Sequence, residues 1–301
     1  MMNYLLRRRK LGRTSCREVS RASTTGLRTF RNDGFECVID TGKYKRGSLG
    51  HARDGSLPVR DVGYVFRYGC TTHVPAGKVV NSIDAIRKVN DKSAFRKLTA
   101  DAGLAPRTWL TSQEVLDSGY LGKVVVRPSS HAQGRNLHVV ERYDQLQSAF
   151  RQCPGGYASE LIDKVAEYRV FVSQGRAVWV ANKLPDDRSQ VAWNVAQGGT
   201  FENVRWSQWP IEAVRVAIEA YNLSGLDFGG VDVMVDAEGR AYVLEINSAP
   251  SQTSPYRQTA TAKAFDWIVL NGKDKIPLSD VGGYKKYIHP CMTEEANAAR
   301  A

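Results

Sequence analysis

The chain has 301 residues, 42% of them apolar and 24% charged, the make-up of a globular protein with room for two or three subdomains around a sizeable core. No stretch approaches the ~18 consecutive apolar residues that a membrane helix needs, and no charged-then-apolar secretory signal opens the sequence. The net charge is +11, and residues 1–31 hold nine Lys/Arg against one acid, Glu18, so most of the excess sits at the start.

Within that basic segment Arg13, Arg17 and Arg21 recur at i, i+4 and i+8, which predicts one stripe along a helix. Three readings stand for it. It is a surface for phosphates, nucleic acid or an acidic protein tail, a solvated helix face, or a transit-type leader. No aromatic side chains are interleaved with the basic ones, so stacking on bases is not supported. The five cysteines (Cys16, Cys37, Cys70, Cys153, Cys291) are odd in number and lack a CxxC pair, and the five histidines lack metal-ligand spacing. This points away from disulfides and zinc and toward a reducing, cytoplasmic setting in the producing or host cell.

In chain order, Phe35–Ile39 and Val62–Tyr68 read as strands, with 41–60 an irregular connection and Val79–Val80 a short strand. Ser82 is placed to cap a helix over Ile83–Asn90, and Asp91 to cap a second over Lys92–Ala102 that Gly103 stops. Together these predict an N-terminal α/β unit. Lys123–Arg127 is a β-branched run ended by Pro128. Ser129–Asn136 is small and polar and predicts a mobile loop before a return strand, Leu137–Val140. A short helix over Tyr143–Arg151 follows, then strands at Ala158–Ile162, Tyr168–Val172 and Ala177–Asn182. Pro210–Tyr221 carries Val214, Ile218 and Tyr221 at helical spacing. Val231–Val235 and Ala241–Ile246 are strands, and a helix is expected near Thr261–Leu270 before a polar, Ala-rich tail expected to be mobile.

The most informative stretch is Gly230–Asn247, read as strand, tight turn and strand, with Asp236–Gly239 supplying the turn. If those four residues are the whole loop, Val235 pairs with Arg240 and Asp232 with Val243. Side chains at i and i+2 share a face. Val243, Glu245, Asn247 and Asp232 are then expected on one face, among otherwise apolar strands. Three hard oxygen ligands, Asp232, Glu245 and Asn247, suit Mg²⁺, or Mn²⁺ in its place.

Glu245-Ile246-Asn247 followed by Pro250, with Asp232 thirteen residues before Glu245, resembles the metal-binding end of ATP-grasp carboxylate–amine ligases. Other pieces resemble that superfamily in its order: Asn90-Asp91-Lys92, Val124–Pro128, Ser129–Gly134, Ser159–Ile162 and Glu167. The resemblance covers about residues 79–256. It implies an α/β (α+β) ATP-grasp fold, with a pre-ATP-grasp domain at 1–90, a small subdomain with a lid loop at 91–157, a metal-bearing subdomain at 158–270 and a tail at 271–301. It further implies that Lys92 and Arg127 bind phosphate, that Ser130 and Gly134 lie in the lid, that Glu160, Leu161 and Ile162 form the adenine hinge, and that Glu167 takes the ribose.

Lys183, Asn194 and Gly198-Gly199 resemble the segment that contacts phosphate and substrate in ribosomal-protein glutamate ligases. Arg127, Lys183 and Asn194 are thereby implied as catalytic, with ATP and Mg²⁺ as cofactors and a small-molecule or peptide carboxylate and amine as substrates. Two departures qualify the match. Arg127 stands where the family usually has lysine, as in a divergent branch resembling ligases of bacteriophages. Ala192 stands where the glutamate ligases carry arginine, which sets a glutamate-like substrate in doubt. An ATP-grasp phosphotransferase and a nucleic-acid-binding protein with an inactive ligase core are the alternatives.

Overall fold

Short β-branched and aromatic runs build three sheets. The computed structural model describes residues 2–8, 18–19, 21–24, 30–32, 35–39, 62–71, 78–129, 137–193 and 198–298. The first sheet holds β1 (Met2–Arg8), β2 (Phe30–Asn32), β3 (Phe35–Ile39), β4 (Val62–Tyr68) and β5 (Lys78–Val80) in the order β2-β3-β1-β4-β5. β1 runs parallel to β4, and β4 parallel to β5. β3 and β4 keep the expected bounds, whereas β1 has too short an apolar centre to be predicted from pattern. Of the basic stripe, Arg13 and Arg17 lie outside the described residues. Arg21 is exposed and pairs with Glu18 at 2.7 Å.

The two cap assignments hold. Ser82 accepts from the Ala85 N–H at 3.1 Å to open α1 (Ile83–Asn90), and Asp91 accepts from the Ala94 N–H at 3.1 Å to open α2 (Lys92–Asp101). Past them lies a small antiparallel sheet, in the order β6-β9-β7-β8, of β6 (Thr108–Trp109), β7 (Val124–Arg127), β8 (His138–Val140) and β9 (Tyr157–Glu160). α3 (Ser112–Asp117) and α4 (Leu146–Gln152) cover it. Trp109, Val115, Val124, Val126, Leu146 and Ala158 form a core of its own. Residues 143–145 are a 3-10 turn before α4, where one helix is expected from the sequence.

The third sheet is antiparallel, in the order β12-β11-β10-β13-β14, from β10 (Lys164–Ser173), β11 (Arg176–Leu184), β12 (Thr200–Asn203), β13 (Phe228–Asp236) and β14 (Ala241–Asn247). α5 (Ile211–Ser224) lies across β10, β13 and β14, and α6 (Pro255–Asn271) against β11. The main core runs from Phe66 and Tyr68 of the first sheet through Phe171, Trp179 and Phe228 to Phe265 of α6. Phe95 of α2 and the following Leu104 and Ala105 belong to this core. Among the described residues no helix is long and apolar enough to cross a membrane.

The C-terminal segment corrects an expectation. Residues 283–298 form two 3-10 turns and α7 (Thr293–Ala298), with His289 and Met292 buried against the core. The His289 Nδ1 accepts from the Cys291 N–H at 3.2 Å, and its Nε2 faces the Gln174 Oε1 at 3.4 Å, an arrangement that fits the neutral ring. Burial first, and nearby Arg176 second, pull its pKa down to about 3. The unfolded chain therefore takes up a proton near pH 6.5 that the folded one refuses. Stability from this group is complete above pH ~6.5 and is lost as the pH falls toward 3. Between pH 7.5 and 5 the loss is expected to be about 2 kcal/mol. Urea denaturation of the wild type and of His289→Gln at both pH values checks this, and an equal pH slope in the two would refute it.

Candidate active site

A cavity of about 720 Å³ opens between the small sheet and the third sheet. Val125, Arg127 and the segment 159–162 line one wall, and Glu167, Lys183, Asp232 and Glu245 line the other.

The hairpin of β13 and β14 supplies the acids. The Asp236 N–H donates to the Arg240 carbonyl at 3.1 Å, so the loop is only 237–239, with Gly239 at φ +80°. Val235 therefore faces Ala241 rather than Arg240. A bulge follows: Val233 faces Val243, but Asp232 faces Glu245, leaving Leu244 as the extra residue. These two one-residue departures from the expected register add to two, so the parity of Asp232 and Glu245 is restored. Val243 is the exception, since it turns into the core while Leu244 joins Glu245 and Asn247 on the cavity. Gly230 faces Asn247, and a Cβ there would meet the Pro250 Cβ at 2.7 Å, so the loop after the acids folds onto bare backbone. Tyr68 donates to the Pro250 carbonyl and fixes that loop from the first sheet.

Each acid has cationic partners. Arg169 grips Asp232 with Nε at 2.6 Å and an Nη at 2.8 Å, while Lys183 Nζ lies 3.4 Å from the same carboxylate. Burial opposes ionisation of Asp232, but Arg169 and Lys183 outweigh it and hold the pKa below the usual value. Burial likewise opposes ionisation of Glu245. Lys92 Nζ, 2.5 Å from Glu245 Oε2, and the Asn247 amide, 3.0 Å from Oε1, hold that pKa well below the carboxylate range. Glu167 receives both Lys183 and Lys164, the latter at 2.7 Å. Arg169 thus serves Asp232, not the neighbouring Glu167.

Two ionised carboxylates and an amide oxygen, all hard donors, fit a cation that keeps water and phosphate oxygens in its shell. Among the described residues no cluster of three His, Cys, Asp or Glu side chains forms, so the set is not an all-protein cage. Across the cavity the buried Arg127 Nε has no hydrogen-bond partner among the described residues. At the hinge, the N–H groups of Glu160 and Leu161 already donate to the Arg107 and Lys123 carbonyls at 2.9 Å each. Ile162 is left as the hinge residue whose N–H is not committed to those carbonyls.

The arrangement has counterparts. Residues 71–265 match the model of an ATP-grasp domain family, the third family of its clade. The chain belongs to this ATP-grasp family. Over 188 residues the ATP-grasp chain is 28% identical to a D-alanine--D-alanine ligase of Anaeromyxobacter dehalogenans, taking in 58% of this chain and 61% of that ligase. It thus spans about three fifths of the length of that curated relative. It is 25% identical to a probable alpha-L-glutamate ligase 2 of Hahella chejuensis over 91% of this chain and 98% of that one. A Chryseobacterium gregarium RiPP-associated ATP-grasp ligase, solved with ADP and a leader and core peptide, superposes with a TM-score of 0.53 at 14% identity. The superposition covers 92% of this chain and 100% of that one, a likeness of fold.

In the ATP-grasp chain the cavity gathers Lys92, Arg127, Glu160, Leu161, Ile162, Glu167, Lys183, Asp232, Glu245 and Asn247. Ser130, Gly134 and Asn194 lie outside the described residues, as does most of the expected lid. Gly198, at φ +88°, abuts the Asp186 side chain rather than the cavity, which Gly199 lines. Arg96, Lys164, Phe201, Met234, Leu244 and Thr253 also line the cavity and are not picked out by sequence. Lys164 lies three residues before Glu167 and lends only a weak hint of its role.

Proposed function

We propose that this ATP-grasp chain is an ADP-forming ligase that joins a carboxylate to an amine with Mg-ATP, Mn²⁺ being the other cation its oxygen donors suit. The reading is carried by one observation: Asp232 and Glu245, ionised and directly opposite each other, look across the cavity at Arg127 and the 159–162 hinge. Asp232, Glu245 and Asn247 hold the cation. Lys92, Arg127 and Lys183 hold phosphate oxygens, with Asn194 beside them, under a lid that includes Ser130 and Gly134. The Ile162 N–H and the Glu160 carbonyl read the adenine edge, Leu161 packs against it, and Glu167 accepts the ribose hydroxyls.

The bound cation supplies charge stabilisation at the phosphates. The chain's own part is to align an acid with the γ-phosphate. An O–P bond forms to the substrate carboxylate as the bond to ADP breaks. The amine then attacks the acyl carbon, loses a proton and expels phosphate. Lys92, Arg127 and Lys183 spread the charge that develops. A peptide is the favoured substrate class, on the strength of the peptide-bound neighbour. A cytoplasmic setting, where Mg-ATP is at hand, goes with this reading.

The test is release of ADP and phosphate from Mg-ATP with pooled amino acids and peptides as acceptors, followed by mass analysis. An amide product with free phosphate is expected. A phosphorylated acceptor would replace the ligase with a phosphotransferase, and failure to bind ATP would overturn the reading altogether.

A further inference from the structure

Arg257 is only 3% exposed, and among the described residues no carboxylate lies within ion-pair reach of it. Its guanidinium lies 5.7 Å from the ring centres of both Trp179 and Phe201, with only neutral partners: Asn203 Oδ1 at 2.7 Å and Thr253 Oγ1 at 3.4 Å. Three costs meet at this residue. A buried charge is desolvated without a counter-ion. It occupies the first turn of α6, where the helix dipole disfavours a cation. Arg169, packed on the same Phe201 ring at 4.8 Å, repels it. A fold without use for this charge would lose little by replacing it with an apolar side chain.

Phe201 and Thr253 both line the cavity, at the end away from the hinge. Among the described residues, six cationic and four acidic side chains line that cavity. The excess of two positive charges is matched by one Mg-ATP, which carries about two net negative charges. Arg257, one layer behind the wall, is then left for one further negative charge at its own end.

We propose that Arg257, acting through the Thr253 hydroxyl, docks the carboxylate of the acid substrate and makes this end of the cavity select a carboxylate over its amide. The inference rests on the ligase reading above and adds the residue that admits the acid. Arg257 is a positioning residue: Thr253 presents the hydroxyl, and the guanidinium behind it fixes the hydroxyl's orientation and supplies the field.

The full chain saturated with Mg-ADP is titrated calorimetrically with D-alanine and L-glutamate, and with D-alaninamide and the diamide of glutamic acid. At least one carboxylate is expected to bind, with its amide at least tenfold weaker. Arg257→Met keeps an apolar stem between the two rings. It is expected to weaken the carboxylate at least tenfold and to erase the discrimination, while Mg-ADP affinity stays within twofold. Thr253→Val, which touches no buried charge, should move the same way even if Arg257→Met folds poorly. In turnover, KM for the acid should rise more than kcat falls. Equal binding of acid and amide to the wild type, no binding of either acid, or discrimination intact in the variants would overturn the proposal. Absence of Mg-ADP binding would instead overturn the nucleotide reading, and this inference with it.

Discussion

Glu245→Ala is expected to cut acceptor-dependent ADP release by at least ~10³-fold, a barrier increase of about 4 kcal/mol, while leaving the fold intact. The physical reason is twofold. The substitution removes one of two carboxylates offered to the cation, and it frees Lys92 from its 2.5 Å pairing. Side chains of the pair are 24% and 31% exposed, so solvent screens the lost contact and the stability cost stays below about 1 kcal/mol. Circular dichroism and thermal denaturation check the fold, and ADP release checks the chemistry. Activity within tenfold of the wild type, in a folded variant, would sink the metal assignment.

Asp232→Ala should behave differently, because it strikes stability as well as chemistry. Asp232 and Arg169 side chains are 4% and 12% exposed, and the pair is bidentate. Removing the acid leaves Arg169 and Lys183 buried with their shared counter-ion gone. Breaking such a pair costs about 3–5 kcal/mol. The double variant Asp232→Leu with Arg169→Met is expected to recover most of that stability and none of the activity, since no charge is left stranded. Urea denaturation of the wild type, the single variants and the double variant measures the coupling. A loss below about 1 kcal/mol in Asp232→Ala would mean that the pair is solvated rather than buried.

These two residues also mark what the sequence makes legible. Asp232, Glu245 and Asn247 stand out because acids alternate with Val, Leu and Ile in two strands joined by a turn, so parity alone groups them. The true register does not stand out. Leu244 is apolar like its neighbours, and nothing in its identity marks it as the bulged residue. The local helices over 83–90 and 92–101 follow from Ser82 and Asp91, whose caps act within a few residues. Arg169 is the opposite case. Its partner is 63 residues away across β10 and β13, and only the sheet order brings them together. The packing of His289 under the main core is hidden for the same reason, because a polar-looking tail becomes buried through contacts with residues more than a hundred positions earlier.

The bulge at Leu244 has a mechanical meaning. By stepping out of the ladder, Val243 frees its backbone for other partners: its N–H donates to the Leu104 carbonyl at 2.7 Å, and its carbonyl accepts from Arg96. Lys92, one turn before Arg96 on α2, holds Glu245. Two consecutive turns of α2 are therefore bolted to two nearby points of β14. The helix and the acid-bearing strand form one rigid jaw, and any widening or closing of the cavity is carried by the other jaw, the small sheet that bears Arg127 and the hinge.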